Sequence, residues 1–297
     1  MFAVIQSNAA KSDLLLVVVT LLAAVGWIFS KEALSGIPPL MFIGLRFLVA
    51  GLVLSIFGWQ ALRALDRRGV LRTVLVGVSF GVAMIFWILG LHHAHHIGVG
   101  AFLTCLGAVF VPIVATLFGE RANRAVWFSL PLAAVGLASL SLDSQFEMGW
   151  GELSFLCAAV LFAFTFVLNS RAAAKTSPIA LAAVQLMVVG LVALPVSLLT
   201  ETWTFAWSAS TWMWMIASIF IATSLRFFMQ TWAQSLSSAS NAAVIMTLEP
   251  VWTAMLAAVW FGETMTAMQL GGCALIFSAL LVSRWRSVRS AVRMLIK

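Results

Sequence analysis

Residues 240–264 read SNAAVIMTLEPVWTAMLAAVWFGET. The stretch is long enough to cross a bilayer, which takes about 20 mostly apolar residues. It holds one carboxylate near its middle, Glu249, followed at once by Pro250. Pro250 has no N–H to give the carbonyl of Met246, so that carbonyl is left partly free. An acid and a loosened backbone group at membrane depth are tolerated only where protein or a wet cavity covers them. The stretch therefore reads as one wall of a solute pathway.

The whole chain shares its apolar character. Of 297 residues 63% are hydrophobic and 9% charged, whereas a globular domain is roughly one-quarter charged. No water-soluble fold hides that much apolar surface, so the class is an all-α polytopic membrane protein. Ten spans of suitable length are expected, at residues 14–31, 38–59, 70–91, 97–118, 125–141, 149–170, 178–200, 210–232, 239–261 and 267–285. The first apolar run, 14–30, lacks a cleavage site followed by a polar mature start and reads as a retained span. Short connections leave no room for a soluble domain.

With the N-terminus placed in the cytoplasm, all but three of the 17 Lys and Arg fall in cytoplasmic loops and the tail 286–297 or at its edge. The exceptions are Lys31, Arg46 and Arg226. Cytoplasmic enrichment of Lys and Arg is the general rule, so both termini are expected inside. The net charge of +7 is explained by that bias. The basic tail reads as a segment lying on anionic lipid, with no nucleic-acid partner. Cys105, Cys157 and Cys273 lie in apolar runs and read as small core residues, not as disulfides or metal ligands.

The chain repeats itself. Shifted by 143, residues 97–140 align without a gap on 240–283, and Phe118-Gly119-Glu120 falls on Phe261-Gly262-Glu263. Shifted by 139, residues 13–54 align on 152–193, with Pro39 on Pro178 and Gly51-Leu52-Val53 on Gly190-Leu191-Val192. The expected units are 1–141, 142–285 and the tail 286–297. Five spans per unit would insert the second upside down relative to the first, the pattern of secondary transporters with a site between halves near the midplane.

Two five-span units, each with an FGE followed by a further span, resemble the EamA-type drug/metabolite transporter superfamily. Leu248-Glu249-Pro250 with Phe261-Gly262-Glu263, and Gly44-Leu45-Arg46-Phe47-Leu48, carry the resemblance over almost the whole chain. Within it the sequence looks most like the YddG-type amino-acid exporters. The resemblance implies a ten-helix carrier in a bacterial inner membrane that moves small organic metabolites outward. One departure stands out: Leu106-Gly107 occupies the place of Glu249-Pro250 in the first unit. The more polar wall is therefore expected in the second half.

Several residues are candidates for the pathway. Glu249 suits a substrate amine or a proton, or a structural hydrogen bond across the broken helix. Thr223, Arg226, Gln230 and Gln234 follow at spacings of three and four and form one stripe on a helix. Arg226 suits a carboxylate; equally it could reach the cytoplasmic surface or pair with Glu249. Phe86, Trp87, Trp232 and Trp252 could give the cavity an aromatic lining, although packed or lipid-facing rings are the ordinary use of such residues. Arg46 reads as an outer-side ion pair with Glu32 or Glu263. His93, within His92-His93-Ala94-His95-His96, could gate by protonation or simply be a solvated loop. Four histidines in all are too few for a membrane di-iron centre. Thr165 and Asn169 read as helix–helix hydrogen bonds, and Glu120 as structural or gating.

No phosphate-binding loop, catalytic set, cofactor site or metal site is recognisable. The expected function is a secondary transporter exporting amino acids with apolar or aromatic side chains, with a proton or counter-solute as a further partner. Efflux of cationic apolar drugs, an intramembrane enzyme and a channel-like subunit are the alternatives.

Overall fold

The computed structural model describes residues 2–93, 97–141, 149–261 and 266–283. Among them all regular structure is helical. In chain order these are α1 (Phe2–Ala33), α2 (Pro39–Phe57), the short α3 (Trp59–Arg63), α4 (Arg67–His93), α5 (Ile97–Leu117), α6 (Arg124–Ser141), α7 (Trp150–Ala173) and α8 (Pro178–Thr200). Then come α9 (Ala209–Ala217), a π-helical segment (Ser218–Leu225), α10 (Arg226–Ser235), α11 (Ala239–Met246), α12 (Glu249–Phe261) and α13 (Ala267–Ser283). Among the described residues seven helical runs are long and apolar enough to cross a membrane: α1, α2, α4, α7, α8, the α9–α10 run and the α11–α12 run. The other expected spans coincide with shorter apolar stretches in α5, α6 and α13. Glu263, His95, His96 and the tail 286–297 lie outside the described residues; His93 is the last residue of α4.

Helix ends follow local chemistry. Both α2 and α8 start on a proline, Pro39 and Pro178, whose fixed φ suits the first helical position and whose missing N–H costs nothing there. Carboxylates satisfy several N-termini. Glu201 accepts from the Leu40 and Met41 N–H groups at 2.8 and 2.8 Å, Asp66 from Gly69 at 2.7 Å, and Glu152 from Gly149 at 3.0 Å. The first FGE motif acquires a physical meaning. Gly119, at φ +80°, takes the left-handed turn that closes α5, with Glu120 N–H reaching back to Ala115 at 3.0 Å and Gly119 N–H to Thr116 at 3.0 Å. The Glu120 carboxylate then accepts from Ser240 N–H at 3.1 Å in the first turn of α11. Arg171 lies over the Phe118 ring and donates to the Phe118 carbonyl at 2.8 Å.

In lipid, helices gain little from hiding apolar surface, so close approach over small residues holds them together. The centre is the crossing of α2 and α8. An added Cβ at Gly51 would stand 2.6 Å from the Met187 backbone nitrogen, and one at Gly190 would stand 2.7 Å from the Leu48 nitrogen. Gly77 and Gly81 of α4 lie against Val188 and Val192 of α8, the close contacts that their four-residue spacing suggests. Gly136 of α6 lies against Gly272 and Ile276 of α13. Around the central crossing α4 packs on α7 and α8, and α1 packs on α9, the π segment, α10, α11 and α12.

Two expected spans depart from a plain helix. The run 239–261 breaks before the proline rather than at it: α11 ends at Met246, Thr247 and Leu248 form a turn, and Glu249-Pro250 opens α12. The i→i+3 bonds from Thr247 to Val244 (3.3 Å) and from Leu248 to Ile245 (3.0 Å) tighten the end of α11. Pro250 has no N–H to carry the helix through and so serves as a helix starter. The run 210–232 passes through the π segment, where the Thr223 and Ser224 hydroxyls donate to carbonyls five residues back, Ser218 and Ile219, both at 2.8 Å.

A charged pair at two helix irregularities

Arg226 and Glu249 meet. The guanidinium Nη2 lies 3.2 Å from the Glu249 carboxylate, and the two side chains keep 19% and 23% of their surface exposed. Each partner owes its position to an irregularity. Arg226 comes directly after the π segment, and Glu249 is the first residue of α12 after the break. A helix N-terminus carries partial positive charge and favours an anion, so the break stabilises the carboxylate it exposes. The other carboxylate oxygen of Glu249 accepts from the indole N–H of Trp27 in α1 at 3.2 Å. Of the alternatives for Arg226, the ion pair with Glu249 is the arrangement adopted.

The polar stripe of the eighth span is divided by the π segment, which adds a residue to the turn and rotates the helix beyond it. Thr223 faces α2, where Arg46 donates to its hydroxyl. Arg226 faces α12. Gln234 faces α7, where the Asn169 amide donates to it and lies 3.5 Å from Thr231. No ion pair joins Arg46 to Glu32 among the described residues, and Glu263, the other expected partner, lies outside them. Arg46 is 9% exposed, and its described hydrogen bonds go to neutral groups: Thr223, the Ser30 hydroxyl at 2.8 Å and the Ala222 carbonyl at 3.3 Å. Glu32 instead accepts from the Trp260 indole at 3.4 Å. The π turn supplies the reason: it turns Thr223 and the Ala222 carbonyl towards α2, and together with Ser30 they occupy the guanidinium.

Beside Trp27, the pair meets a phenylalanine cluster built around Phe227 and Phe80, which the sequence pattern did not single out. Arg226 lies 4.8 Å above the Phe227 ring. Phe227 joins Phe47 and Phe80 at centroid distances of 5.6 Å each, and Phe80 joins Phe162 at 5.8 Å. Trp87 packs against the apolar cluster that includes Phe47 and Phe227, and Phe86 is half-buried beside it in α4. Trp232 and Trp252 are elsewhere. Trp232 stacks on Phe228 under the Lys11 ammonium, 4.4 Å away. Trp252 donates to Thr20 at 3.2 Å and packs edge-on to Phe277. Thr165 shares a 2.7 Å hydrogen bond with Ser79 of α4, the helix–helix role expected of it. Trp27 was missed because its spacing in α1 looks like that of any span tryptophan; only the packing of α1 on α12 brings it to Glu249.

Comparison with known proteins gives this geometry a context. The model of the EamA-like transporter family matches residues 10–142 and again 149–285. The chain belongs to the EamA-like transporter family. It is thus an integral membrane protein and a transporter. A transporter of Archaeoglobus fulgidus described as uncharacterized is 26% identical over 272 residues, covering 91% of this chain and 85% of the relative. The uncharacterized transporter YvbV of Bacillus subtilis is 24% identical across 95% of this chain and 94% of its own length. The uncharacterized inner membrane transporter YedA of Escherichia coli is 24% identical over 169 residues, 54% of each chain. A solved crystal structure superposes with a TM-score of 0.78 over 92% of this chain and 96% of its own, at 18% identity, a likeness of fold. The Arg226–Glu249 pair thus lies inside an EamA-like scaffold.

Proposed function

We propose that this EamA-like protein exports small organic metabolites, amino acids with apolar or aromatic side chains foremost, by alternating access between two inverted five-helix repeats. The observation that carries the reading is the partly exposed Arg226–Glu249 pair at the start of α12. A zwitterion needs a cation partner for its carboxylate, an anion partner for its ammonium, and apolar room for its side chain. Arg226, Glu249 and the phenylalanines beside Phe227 offer these together. A cationic drug would have to displace Arg226 from Glu249, which favours the zwitterion over that alternative.

Repeat symmetry is supported by the core. Leu48 corresponds to Met187 and Gly51 to Gly190 at the offset of 139. Gly51 packs on Met187 while Gly190 packs on Leu48. That is the reciprocal contact expected if a pseudo-two-fold axis passes between α2 and α8. Rocking one repeat against the other about this crossing would expose the pair to alternate sides, with both termini in the cytoplasm and an inner-membrane setting as for YedA. A proton or a counter-solute would be the coupled species.

Proteoliposomes loaded with a panel of labelled amino acids and cationic dyes test the reading. Selective release of apolar or aromatic amino acids, abolished in Arg226→Ala and Glu249→Gln, is the expected result. Release of dyes alone would replace it with drug efflux, and passage of inorganic ions at channel rates would end the carrier reading.

A further inference from the structure

The charged pair leaves one edge of Arg226 unused. Its Nη2 is committed to Glu249, but its Nε is buried with no hydrogen-bond partner among the described residues. One helical turn along α10, the Gln230 Oε1 is likewise buried without a partner among the described residues. An unpaired buried donor or acceptor costs about 1–3 kcal/mol, so native proteins keep such groups for a purpose. Here an orphan donor and an orphan acceptor stand at positions i and i+4, neighbours on one helix face with Cβ atoms about 6 Å apart.

We infer that Arg226 Nε and Gln230 Oε1 form a head-group site for an α-amino carboxylate, with Gln230 as the residue that selects amino acids over simple carboxylates. The ligand carboxylate accepts from the Arg226 Nε–H, and its ammonium donates to the Gln230 carbonyl oxygen. Glu249 holds the guanidinium in place and supplies the charge that balances the ammonium. The Phe227 ring, under the guanidinium at 4.8 Å, leads into the phenylalanine cluster where an apolar side chain would lie. A site that satisfies a ligand N–H rejects the analogue lacking it, since its own acceptor is then left unpaired.

This assignment rests on the amino-acid reading of the proposed function, and the test separates the two. Full-length protein in liposomes is assayed for efflux of phenylalanine and of 3-phenylpropanoate, which lacks only the amino group. Gln230→Leu should lower the preference for phenylalanine over 3-phenylpropanoate about tenfold, by slowing phenylalanine efflux and not that of 3-phenylpropanoate. Arg226→Gln should abolish efflux of both. If Gln230→Leu leaves the preference unchanged, or lowers both fluxes equally, the selecting role of Gln230 is overturned while the amino-acid reading stands. If the wild-type protein moves 3-phenylpropanoate and not phenylalanine, the amino-acid reading falls and Gln230 loses its role with it.

Discussion

The helix α5 and the run α11–α12 correspond residue for residue at an offset of 143, yet only the second is broken. Where the second has Glu249-Pro250, the first has Leu106-Gly107 and continues as one helix from Ile97 to Leu117. A Cβ at Gly107 would stand 3.0 Å from the Ala159 carbonyl of α7, so that position serves close packing. The neighbouring pair tells the same story. Helix α4 is a regular helix, while the corresponding α9–α10 run contains the π segment. At the same offset Thr223 and Arg226 correspond to Phe80 and Ala83. Equal length and similar apolar character thus take two forms: apolar, regular helices in one half, and polar, irregular ones in the other. Irregular backbone at membrane depth survives where protein covers it, and the second half pairs each irregularity with a charge.

The contrast can be broken by substitution. The largest effect is expected at the charges: Arg226→Ala leaves Glu249 without its cation, and efflux should be abolished. Leu106→Met, at the position corresponding to Glu249, should change efflux less than twofold by the same assay. Equal losses would mean that the two halves share the work. Next come the reciprocal glycines. Gly51→Ala and Gly190→Ala should each destabilise the protein by about 1–3 kcal/mol through overpacking, read from unfolding in detergent. Gly271→Ala has nothing within 4 Å of the added carbon and should be neutral. Unequal costs at Gly51 and Gly190 would break the reciprocity.

Smaller effects sharpen the picture. Thr223→Val removes the hydroxyl that both accepts from Arg46 and anchors the π turn. A loss of about 1 kcal/mol is expected from such interhelical bonds, with a few-fold slower efflux. The smallest effect on transport is expected for Gly119→Ala, which places a Cβ in a left-handed turn at a cost of about 1–2 kcal/mol in stability and should leave substrate preference unchanged.

Much of this was legible in one dimension. Apolar runs of bilayer length mark the helices, because backbone groups in lipid must be satisfied within the segment. The first FGE motif and the Glu-Pro pair marked real punctuation, since left-handed φ demands glycine and a missing N–H stops a helix. The stripe from Thr223 to Gln234 was only half right. Spacing of three and four presumes 3.6 residues per turn, and the π segment violates it, so Thr223 and Arg226 serve different neighbours. Trp232 and Trp252 pack on Phe228 and Phe277, the ordinary use of span tryptophans, and Trp27 carried no expectation, because a tryptophan's partners depend on which helix arrives beside it.

The sequence by itself determined the class, the positions of the apolar helices and the presence of a costly acid and base within them. Those are properties of single segments in a medium that cannot solvate backbone or charge. Only the tertiary structure decided that Glu249 meets Arg226, that Arg46 is held by neutral oxygens, and that Phe227 lies under the guanidinium. Such contacts join residues far apart in the chain and turn on the rotation of each helix. A π turn and a two-residue break reset those rotations through packing, which no local pattern encodes.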